Sequence, residues 1–217
     1  MDEMHDPATR VEPRFPSDVA FTPTVKAVQT AKGSRGMYAK VERGRGWQTR
    51  ITPDLREFIA GLDMFYLGTA NAAGQPYIQY RGGPTGFLHV LDDHTLAFAD
   101  FGGNRQYITV GNLSENPRAF LFLIDYVHAR RVKIWGTARV VEDDPGLLER
   151  LADPTYAAHP ERAIVLTIDA WDANCHQHIH QRLLAKDVAP VIERLQHRIT
   201  ELESELAKRE RDKPAPG

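Results

Sequence analysis

The sequence is poor in cysteine and contains no long hydrophobic run. Cys175 is the single cysteine among 217 residues, which excludes an intramolecular disulfide and agrees with a reducing compartment. No apolar stretch is long enough to cross a bilayer. The segment 1–16 is polar and proline-rich, without the apolar core of a signal peptide. We therefore expect a cytoplasmic protein that does not enter a membrane.

An excess of charge of either sign is also absent. The formal net charge is −2 at pH 7, so no global field attracts nucleic acid or a membrane. The segment 32–50 is locally basic and contains Tyr38 and Trp47, a combination that could bind single-stranded nucleic acid. The acidic residues elsewhere argue against that function. We predict a solvated basic loop that could bring a cation to a neighbouring site, and no nucleic-acid partner.

Several motifs of common enzymes are missing. The sequence has no phosphate-binding glycine loop followed by lysine, no dinucleotide-binding fingerprint and no G-x-S-x-G nucleophile elbow. The glycine-rich run at 82–86 contains a proline and lies between predicted strands, which favours a β-turn over the start of a helix. Histidines follow Cys175, but adjacency in sequence is weak grounds for a nucleophile–base pair.

Changes in composition and the signals for helix starts divide the chain into four predicted segments. Helices begin at Thr22-Pro23 and Thr52-Pro53, where threonine is the N-cap and proline the first helical residue. The segments are a disordered N-terminal arm (1–16), a helical and basic extension (17–62), a β-rich domain (63–182) and a C-terminal amphipathic helix (183–211).

Short apolar runs separated by glycine turns fill the β-rich domain. Antiparallel strands at such regular spacing are typical of a barrel rather than of a doubly wound parallel sheet. Helices are predicted over 104–112, across the barrel mouth, and over 143–151. The predicted strands are 65–70, 76–81, 87–91, 95–99, 118–125, 132–142 and 163–171.

The C-terminal segment has an apolar residue at every third or fourth position. This spacing matches an a/d seam of period 3.5 over about two and a half heptads, with charges at the other positions. The helix could pack on its own barrel or pair with a second subunit, and the sequence leaves both open. The seam residues are Val188, Ile192, Leu195, Ile199, Leu202 and Leu206.

Two arginines, Arg81 and Arg105, lie beside Gly-Gly pairs in the β-rich domain. An arginine offers a planar fork of donors that binds a phosphate bidentately and keeps its charge. Gln79 lies two residues before Arg81, so both side chains lie on one face of a strand, and Asn104 adds a neutral donor at the second turn. The residue types fit either a phosphate site or two surface ion pairs.

Three histidines alternate after the cysteine, at His176, His178 and His180. In an extended strand they would share one face, and three histidines can hold a catalytic metal ion. Residues on one face of one strand stand in a row rather than converge, however. We therefore predict no metal and one histidine hydrogen-bonded to a ligand.

Ordered motifs in three segments carry a resemblance to a known family. The segments read GTANAAGQPYIQYRGGPTGF, LDDHTLAFADFGGNRQYITVGNLSENPRAFLFLID and RVKIWGTARVVEDD. Their order of hairpin, arginine strand, G-N-R turn, N-L-x-x-N-P and strand with G-x-A resembles the pyridoxamine 5′-phosphate oxidase-like FMN-binding split-barrel family. AWDANCHQHI is similar to the terminal motif of an uncharacterised branch of that family. The resemblance spans residues 17–185.

The resemblance implies a mainly β fold with flanking helices, an antiparallel, Greek-key-like split β-barrel, followed here by the heptad helix. It also implies a homodimer with FMN in each crevice between the subunits, reached by Arg131 from the partner subunit. The positions that it assigns to cofactor binding are Gln79, Arg81, Phe98, Ala99, Asp100, Asn104, Arg105, Gln106, Arg131 and His178.

The sequence departs from the true pyridoxamine phosphate oxidases, whose C-terminal arginine and histidine residues hold the substrate phosphate. That pattern is missing, so we do not expect vitamin B6 oxidation. We predict an FMN-dependent oxidoreductase with a small-molecule electron donor or acceptor, in which the protein supplies binding and electrostatics. No residue stands out as a general acid or base. The alternatives are a non-catalytic flavin carrier or redox sensor, and a relative that binds deazaflavin or haem.

Overall fold

The structure is a computed structural model that describes residues 14–174 and 177–211. Cys175 and His176 lie outside the described residues, as does nearly all of the predicted arm at 1–16. Within the described part of the chain, the residues cluster into two compact units. The first unit contains 14–124 and 131–174, and the second contains 125–130 and 177–211.

An antiparallel seven-stranded sheet organises the first unit. Its strands are β1 (Met64–Ala70), β2 (Pro76–Gly82), β3 (His89–Val90), β4 (Thr95–Phe101), β5 (Arg118–Asp125), β6 (Arg130–Val141) and β7 (Pro160–Asn174). They follow the order β2-β1-β5-β6-β7-β4-β3, so β2 and β3 are the two edges. The predicted fold class is confirmed: the protein is mainly β with flanking helices, and the sheet is a split β-barrel.

The predicted strands are all present, and one of them is much shorter than expected. The run at 87–91 forms a strand only at His89–Val90, because Phe87 closes the turn that follows β2. Its N–H donates to the carbonyl of Pro84 at 3.0 Å. Phe87 and Leu88 are buried in the core instead of continuing the strand. The apolar character of this run therefore reflects burial and not strand length.

The barrel core is made by alternating side chains of the central strands and by α3 (Pro53–Ala60). On β1, Phe65 and Leu67 are fully buried, while the residues between them are half-buried. Leu121 and Leu123 of β5 lie directly across from them. Full burial of such side chains contributes about 1.5–3 kcal/mol each. The core therefore lies on one face of β1 and β5.

The register of β2 on β1 decides where the predicted site residues lie. Arg81 is directly opposite Phe65, and Gln79 is opposite Leu67. Directly opposite residues in an antiparallel pair share a face of the sheet. Gln79 and Arg81 therefore lie on the core face, but on an edge strand, where the core ends.

The predicted Thr-Pro helix starts are both confirmed. Thr22 Oγ1 accepts a hydrogen bond from the N–H of Val25 at 3.2 Å, and Thr52 Oγ1 accepts one from Leu55 at 3.3 Å. These caps satisfy N–H groups that have no partner inside the helix. The other helices are α1 (Pro23–Ala31), α2 (Arg35–Arg43), α4 (Ile108–Glu115), α5 (Pro145–Leu151) and α6 (Ala185–Arg211), and Pro16–Val19 forms a 3-10 turn.

The basic segment 32–50, predicted to be a solvated loop, contains the helix α2, so that prediction was wrong. A buried carboxylate explains the helix: Glu42 is 8% exposed and forms an ion pair with Arg35. The same guanidinium donates to Gln29 Oε1 of α1 at 2.8 Å. The contact is polar and joins two helices, so apolar periodicity does not reveal it.

The second unit contains a short turn and the C-terminal helix α6. The N–H of Arg182 donates to the carbonyl of Tyr126 at 3.1 Å, and its guanidinium lies 4.3 Å from the centre of the Tyr126 ring. The predicted amphipathic helix at 183–211 corresponds to α6. Among the described helices, none combines the length and hydropathy of a membrane span.

Candidate functional site

A cavity of about 200 Å³ opens beside the edge strand β2 in the first unit. Strands β2, β4 and β7, the loop 102–107 and the start of α4 form its walls. The lining residues are Tyr77, Gln79, Arg81, Asp100, Phe101, Gly103, Asn104, Arg105, Gln106, Tyr107, Ile108, Thr109, Val110, Glu161 and Arg162. Six positions assigned to the cofactor from the sequence thus meet at one cavity: Gln79, Arg81, Asp100, Asn104, Arg105 and Gln106.

Three buried charges form the strand side of the cavity. Arg81 of β2 donates to the carboxylate of Asp100 on β4. Asp100 pairs directly with Arg162 of β7, and Arg162 Nη1 lies 3.6 Å from the second carboxylate oxygen. The side chains of Arg81, Asp100 and Arg162 are only 11%, 9% and 11% exposed. A charge at this depth is expensive unless it is paired, which explains why the three residues lie together.

Arg162 also donates to the carboxylate of Glu161 at 2.8 Å, yet neither guanidinium group has all of its donors paired. The Nε atoms of Arg81 and Arg162 are buried and have no hydrogen-bond partner in the described structure. Arg162 Nε lies 3.0 Å from Glu142 Oε1, a close ion pair whose alignment does not make a hydrogen bond. A buried donor without an acceptor is costly, so it favours an incoming acceptor. This side of the cavity can therefore bind a further anionic group.

The loop 102–107 forms the opposite side and has strained backbone at two positions. Arg105 and Tyr107 have φ angles of 56° and 53°, in the left-handed region that side chains other than glycine rarely adopt. Asn104 accepts a hydrogen bond from the N–H of Gln106 at 3.2 Å and closes the turn. This turn delays the helix predicted over 104–112, and α4 begins at Ile108. Strain of this kind is concentrated at binding sites.

The first turn of α4 adds backbone donors to the cavity. Ile108, Thr109 and Val110 line it, and the N–H groups of a first helical turn have no partner inside the helix. The N-cap residue Tyr107 makes no side-chain hydrogen bond to them. Such N–H groups and the helix dipole attract anions.

The amide of Gln79 is fixed at the cavity wall by the buried residue Thr109. The Thr109 hydroxyl donates to Gln79 Oε1 at 2.8 Å. Gln79 keeps both N–H donors of its amide for a ligand. One turn further along α4, Asn112 donates to Thr69 of β1 at 3.0 Å, which ties the helix to the sheet. Polar contacts on a single face thus join α4 to β1 and β2.

Aromatic rings support the two buried guanidinium groups. The centre of the Arg162 guanidinium lies 5.1 Å from the centre of the Tyr107 ring, and that of Arg81 lies 5.7 Å from the Phe98 ring. These separations are typical of cation–π contacts. Tyr77, Phe101 and Tyr107 also present aromatic surface along the cavity.

Four positions assigned from the sequence do not line the cavity. Phe98 and Ala99 are buried in core clusters, although Phe98 contacts Arg81 from behind. Arg131 lies at the start of β6, opposite Asn174. His178 belongs to the second unit, where it is exposed and has a left-handed φ of 63°. Their roles toward a cofactor stay predictions.

Sequence reasoning missed Arg162 and Thr109, two central residues of the cavity. Arg162 is one of 27 basic residues and has no glycine turn beside it. Its importance depends on pairing with Asp100, 62 residues earlier in the chain, and no local signal gives that register. Of the three alternating histidines, His176 lies outside the described residues, and the described part of the chain contains no cluster suited to a metal ion.

A family model named pyridoxamine 5′-phosphate oxidase matches residues 51–175, which is more than half of the chain. The chain therefore belongs to the pyridoxamine 5′-phosphate oxidase family. The matched region contains all seven strands and the whole cavity. Among curated proteins, none matches the chain.

Solved structures with a similar fold include HupZ of Group A Streptococcus, at 16% identity and TM-score 0.48, covering 61% of this chain and 99% of that one. An FMN-binding protein of Syntrophomonas wolfei has 15% identity, TM-score 0.46 and coverages of 67% and 97%. The haem storage protein HutZ of Vibrio cholerae has 18% identity, TM-score 0.37 and coverages of 55% and 90%. These TM-scores are below 0.5, so the family assignment rests on the family model.

Proposed function

We propose that the protein is an FMN-binding oxidoreductase that acts as a homodimer, and that the cavity binds the phosphate end of FMN. The observation that carries the proposal is the convergence of Arg81, Arg162 and the first turn of α4 on one cavity. Arginine forks and free helix N–H groups are the donors with which proteins bind phosphate. Membership of the family makes a flavin phosphate the first candidate.

The charge balance of the cavity favours an anionic ligand. Arg81 and Arg162 are two positive charges whose side chains are only 11% exposed, against the carboxylates of Asp100 and of Glu161, which is 25% exposed and paired with Arg162. Arg105 adds an exposed third cation from the loop. A phosphate on this side would accept from donors that Asp100 leaves unused, at Arg81 Nε above all.

The size of the cavity supports a site that is completed by a second subunit. Pockets that enclose small organic ligands have volumes of about 300–1,000 Å³. The cavity of one chain has about 200 Å³, enough for a phosphate and part of a ribityl chain but small for a three-ring flavin. Arg131, which lies away from this cavity, is proposed to reach the cofactor of the partner.

The outer face of the sheet offers a surface for that dimer. On the edge strand β2, Ile78 and Tyr80 are 69% and 59% exposed. Tyr66 of β1 lies directly between Tyr80 and Phe122 of β5, on the same face. A contiguous apolar face at the edge of a sheet is typical of a protein interface.

The chain's own contribution to the chemistry is binding and orientation. FMN, when bound, supplies the redox chemistry, since its ring accepts and returns electrons. Gln79 holds its amide donors at the cavity wall through the contact with Thr109, in a position to hydrogen-bond the edge of a ring. Tyr77 and Phe101 can pack against an aromatic ligand.

Mass spectrometry of the ligand released from the purified protein tests the cofactor. We expect FMN, and we expect the apoprotein to bind FMN much more tightly than riboflavin, which lacks the phosphate. Haem or a deazaflavin as the released ligand would replace FMN in the proposal. Equal affinity for FMN and riboflavin would contradict the assignment of the cavity to phosphate.

Stopped-flow reduction tests whether the protein turns over. Anaerobic mixing of the FMN form with NADH or NADPH should bleach the flavin absorbance, and oxygen or another acceptor should restore it. If no electron donor other than dithionite reduces the flavin, the protein is a flavin carrier or a redox sensor instead.

A further inference from the structure

The helix α6 carries an exposed apolar seam. The seam follows the heptad spacing along most of the helix, and the five residues after Val188 are all between 41% and 59% exposed. These five are Ile192 (48%), Leu195 (59%), Ile199 (55%), Leu202 (41%) and Leu206 (57%). A continuous row of exposed large aliphatic side chains is expensive in water and marks an interface.

The distribution of residue types along the seam selects the kind of partner. Counting heptads from the spacing puts Ile192, Ile199 and Leu206 at a positions, and Val188, Leu195 and Leu202 at d positions. The four central positions therefore have isoleucine at a and leucine at d. β-branched residues at a with leucine at d favour two parallel strands over trimers or tetramers. Pro190 falls at position f, on the side away from the seam, where its ring does not meet a partner helix.

One pair of charges beside the seam is complementary in a parallel arrangement. Arg198 occupies a g position and Glu203 the following e position. In a parallel pair in register, g of one helix lies beside the next e of the other, so Arg198 meets Glu203 of the partner twice by symmetry. Within its own chain, Arg198 contacts Glu201 at 2.9 Å, but the two side chains are 58% and 45% exposed. An exposed pair of this kind is weak and can be exchanged.

We propose that α6 pairs with α6 of a second copy of this chain as a parallel, in-register, two-stranded coiled coil. The inference concerns a different surface from the flavin cavity and does not depend on which cofactor binds. A coil of about two and a half heptads is marginal by itself. Where the barrels also pair, the two helices meet at a high effective concentration and the coil becomes stable.

Disulfide cross-linking of the full-length chain tests the register. Cys175→Ser removes the native thiol, and Leu206→Cys then places a thiol at the last a position of the seam. In a parallel coil the two thiols face each other within the Cα separation of about 4.4–6.8 Å that a disulfide needs. Ser204→Cys, in the same background, is the matched control, because position f points away from the partner.

Under mild oxidation, the Leu206→Cys chain should form disulfide dimers at least about tenfold faster than the Ser204→Cys chain. Equal rates, or no dimer from Leu206→Cys, would overturn the proposal. An antiparallel pair would give the latter result, because it separates the two 206 positions.

Charge exchange tests the partner's geometry without depending on the folding of one variant. Arg198→Glu and Glu203→Arg each place like charges across the parallel interface, whereas a mixture of the two chains places opposite charges across it. With Leu206→Cys and Cys175→Ser in both chains and a glutathione redox buffer, mixed dimers should exceed the statistical proportion. A statistical mixture would contradict the parallel register.

The outcome is separable from that of the proposed function. A chain that cross-links at position 206 but releases no flavin would keep the coiled coil and refute the FMN site. A chain that releases FMN but does not cross-link would do the reverse.

Discussion

The two sides of the cavity hold their arginine side chains in different ways. On the strand side, Arg81 and Arg162 are buried and share the carboxylate of Asp100 between neighbouring strands. On the loop side, Arg105 is exposed, has left-handed backbone and no described ion pair. The strand side is therefore built before any ligand arrives, whereas the loop side can adjust to one.

Because of this difference, substitutions on one side should change the stability of the fold, and substitutions on the other should change ligand binding. Mutations on the strand side should change the free energy of unfolding, because they remove partners from buried charges. Mutations on the loop side should change ligand affinity and leave the barrel folded, since an exposed side chain contributes little to packing. The predictions below test that separation.

The largest effect is expected for Asp100→Ala. The change leaves the two buried guanidinium groups of Arg81 and Arg162 without their common partner, which should lower the free energy of unfolding by about 3–5 kcal/mol. Urea unfolding followed by circular dichroism measures the change. Asp93→Ala is the matched control, because Asp93 pairs with Arg50 on the surface and should contribute at most about 1 kcal/mol.

The same urea unfolding can be repeated with added inorganic phosphate. In Asp100→Ala, added phosphate should recover part of the lost stability, because an anion can occupy the place between the two guanidinium groups. Ligand-free wild-type protein should gain less. Similar destabilisation by Asp100→Ala and Asp93→Ala would show that the buried charges are not coupled as the geometry indicates.

The next largest effect is expected for Arg105→Ala, on binding. Loss of one charge-assisted contact to phosphate costs about 1.5–3 kcal/mol, so the affinity for FMN should fall about tenfold to a hundredfold. The barrel should remain folded, because Arg105 is exposed. Fluorescence titration of the apoprotein with FMN and with riboflavin measures the effect.

Riboflavin is the internal control for that variant. Its affinity should change little, since it has no phosphate to lose. Full occupancy of Arg105→Ala by FMN, or an equal loss for both flavins, would place the phosphate away from the loop.

The sequence predicted the elements of the fold better than their contacts. Strong local signals, such as the Thr52-Pro53 helix start and the alternating run of β5, correspond to elements of the structure. The segment with α2 was predicted wrongly because its buried contact is the Arg35–Glu42 ion pair. A charge that is buried in an ion pair looks like a surface charge in a sequence.

The same limit applies to the cavity. Glycine turns and strand alternation indicated Gln79, Arg81 and Arg105, which are all at the cavity. The role of Arg162 depends on the register of β7 against β4, which is set by packing across the sheet. Backbone strain at Tyr107 has no signal either, because tyrosine is not a residue that usually adopts a left-handed conformation.

At Arg105, a smaller effect should distinguish the cost of the left-handed backbone from the loss of the positive charge. Arg105→Gly and Arg105→Ala both remove the guanidinium, but only glycine adopts a φ of 56° without a steric cost. The glycine variant should be more stable than the alanine variant by about 1–2 kcal/mol. Thermal unfolding of the two apoproteins measures this difference. Equal stabilities would show that the loop relaxes out of the left-handed conformation when no ligand is bound.

The smallest effect is expected for Thr109→Val. Thr109 belongs to α4 and its hydroxyl contacts Gln79 of β2, so it joins two walls of the cavity. Valine keeps the buried shape but cannot donate to Gln79 Oε1, so the amide loses the 2.8 Å contact that holds it at the wall. One hydrogen bond of this kind contributes about 0.5–1.5 kcal/mol, which predicts a loss of FMN affinity of up to about tenfold. Thr109→Ser keeps the hydroxyl and should bind FMN almost as the wild type does. Because Gln79 is assigned to the ring and not to the phosphate, riboflavin should lose as much affinity as FMN, the opposite of the result expected for Arg105→Ala. A loss confined to FMN would move Gln79 to the phosphate end of the site.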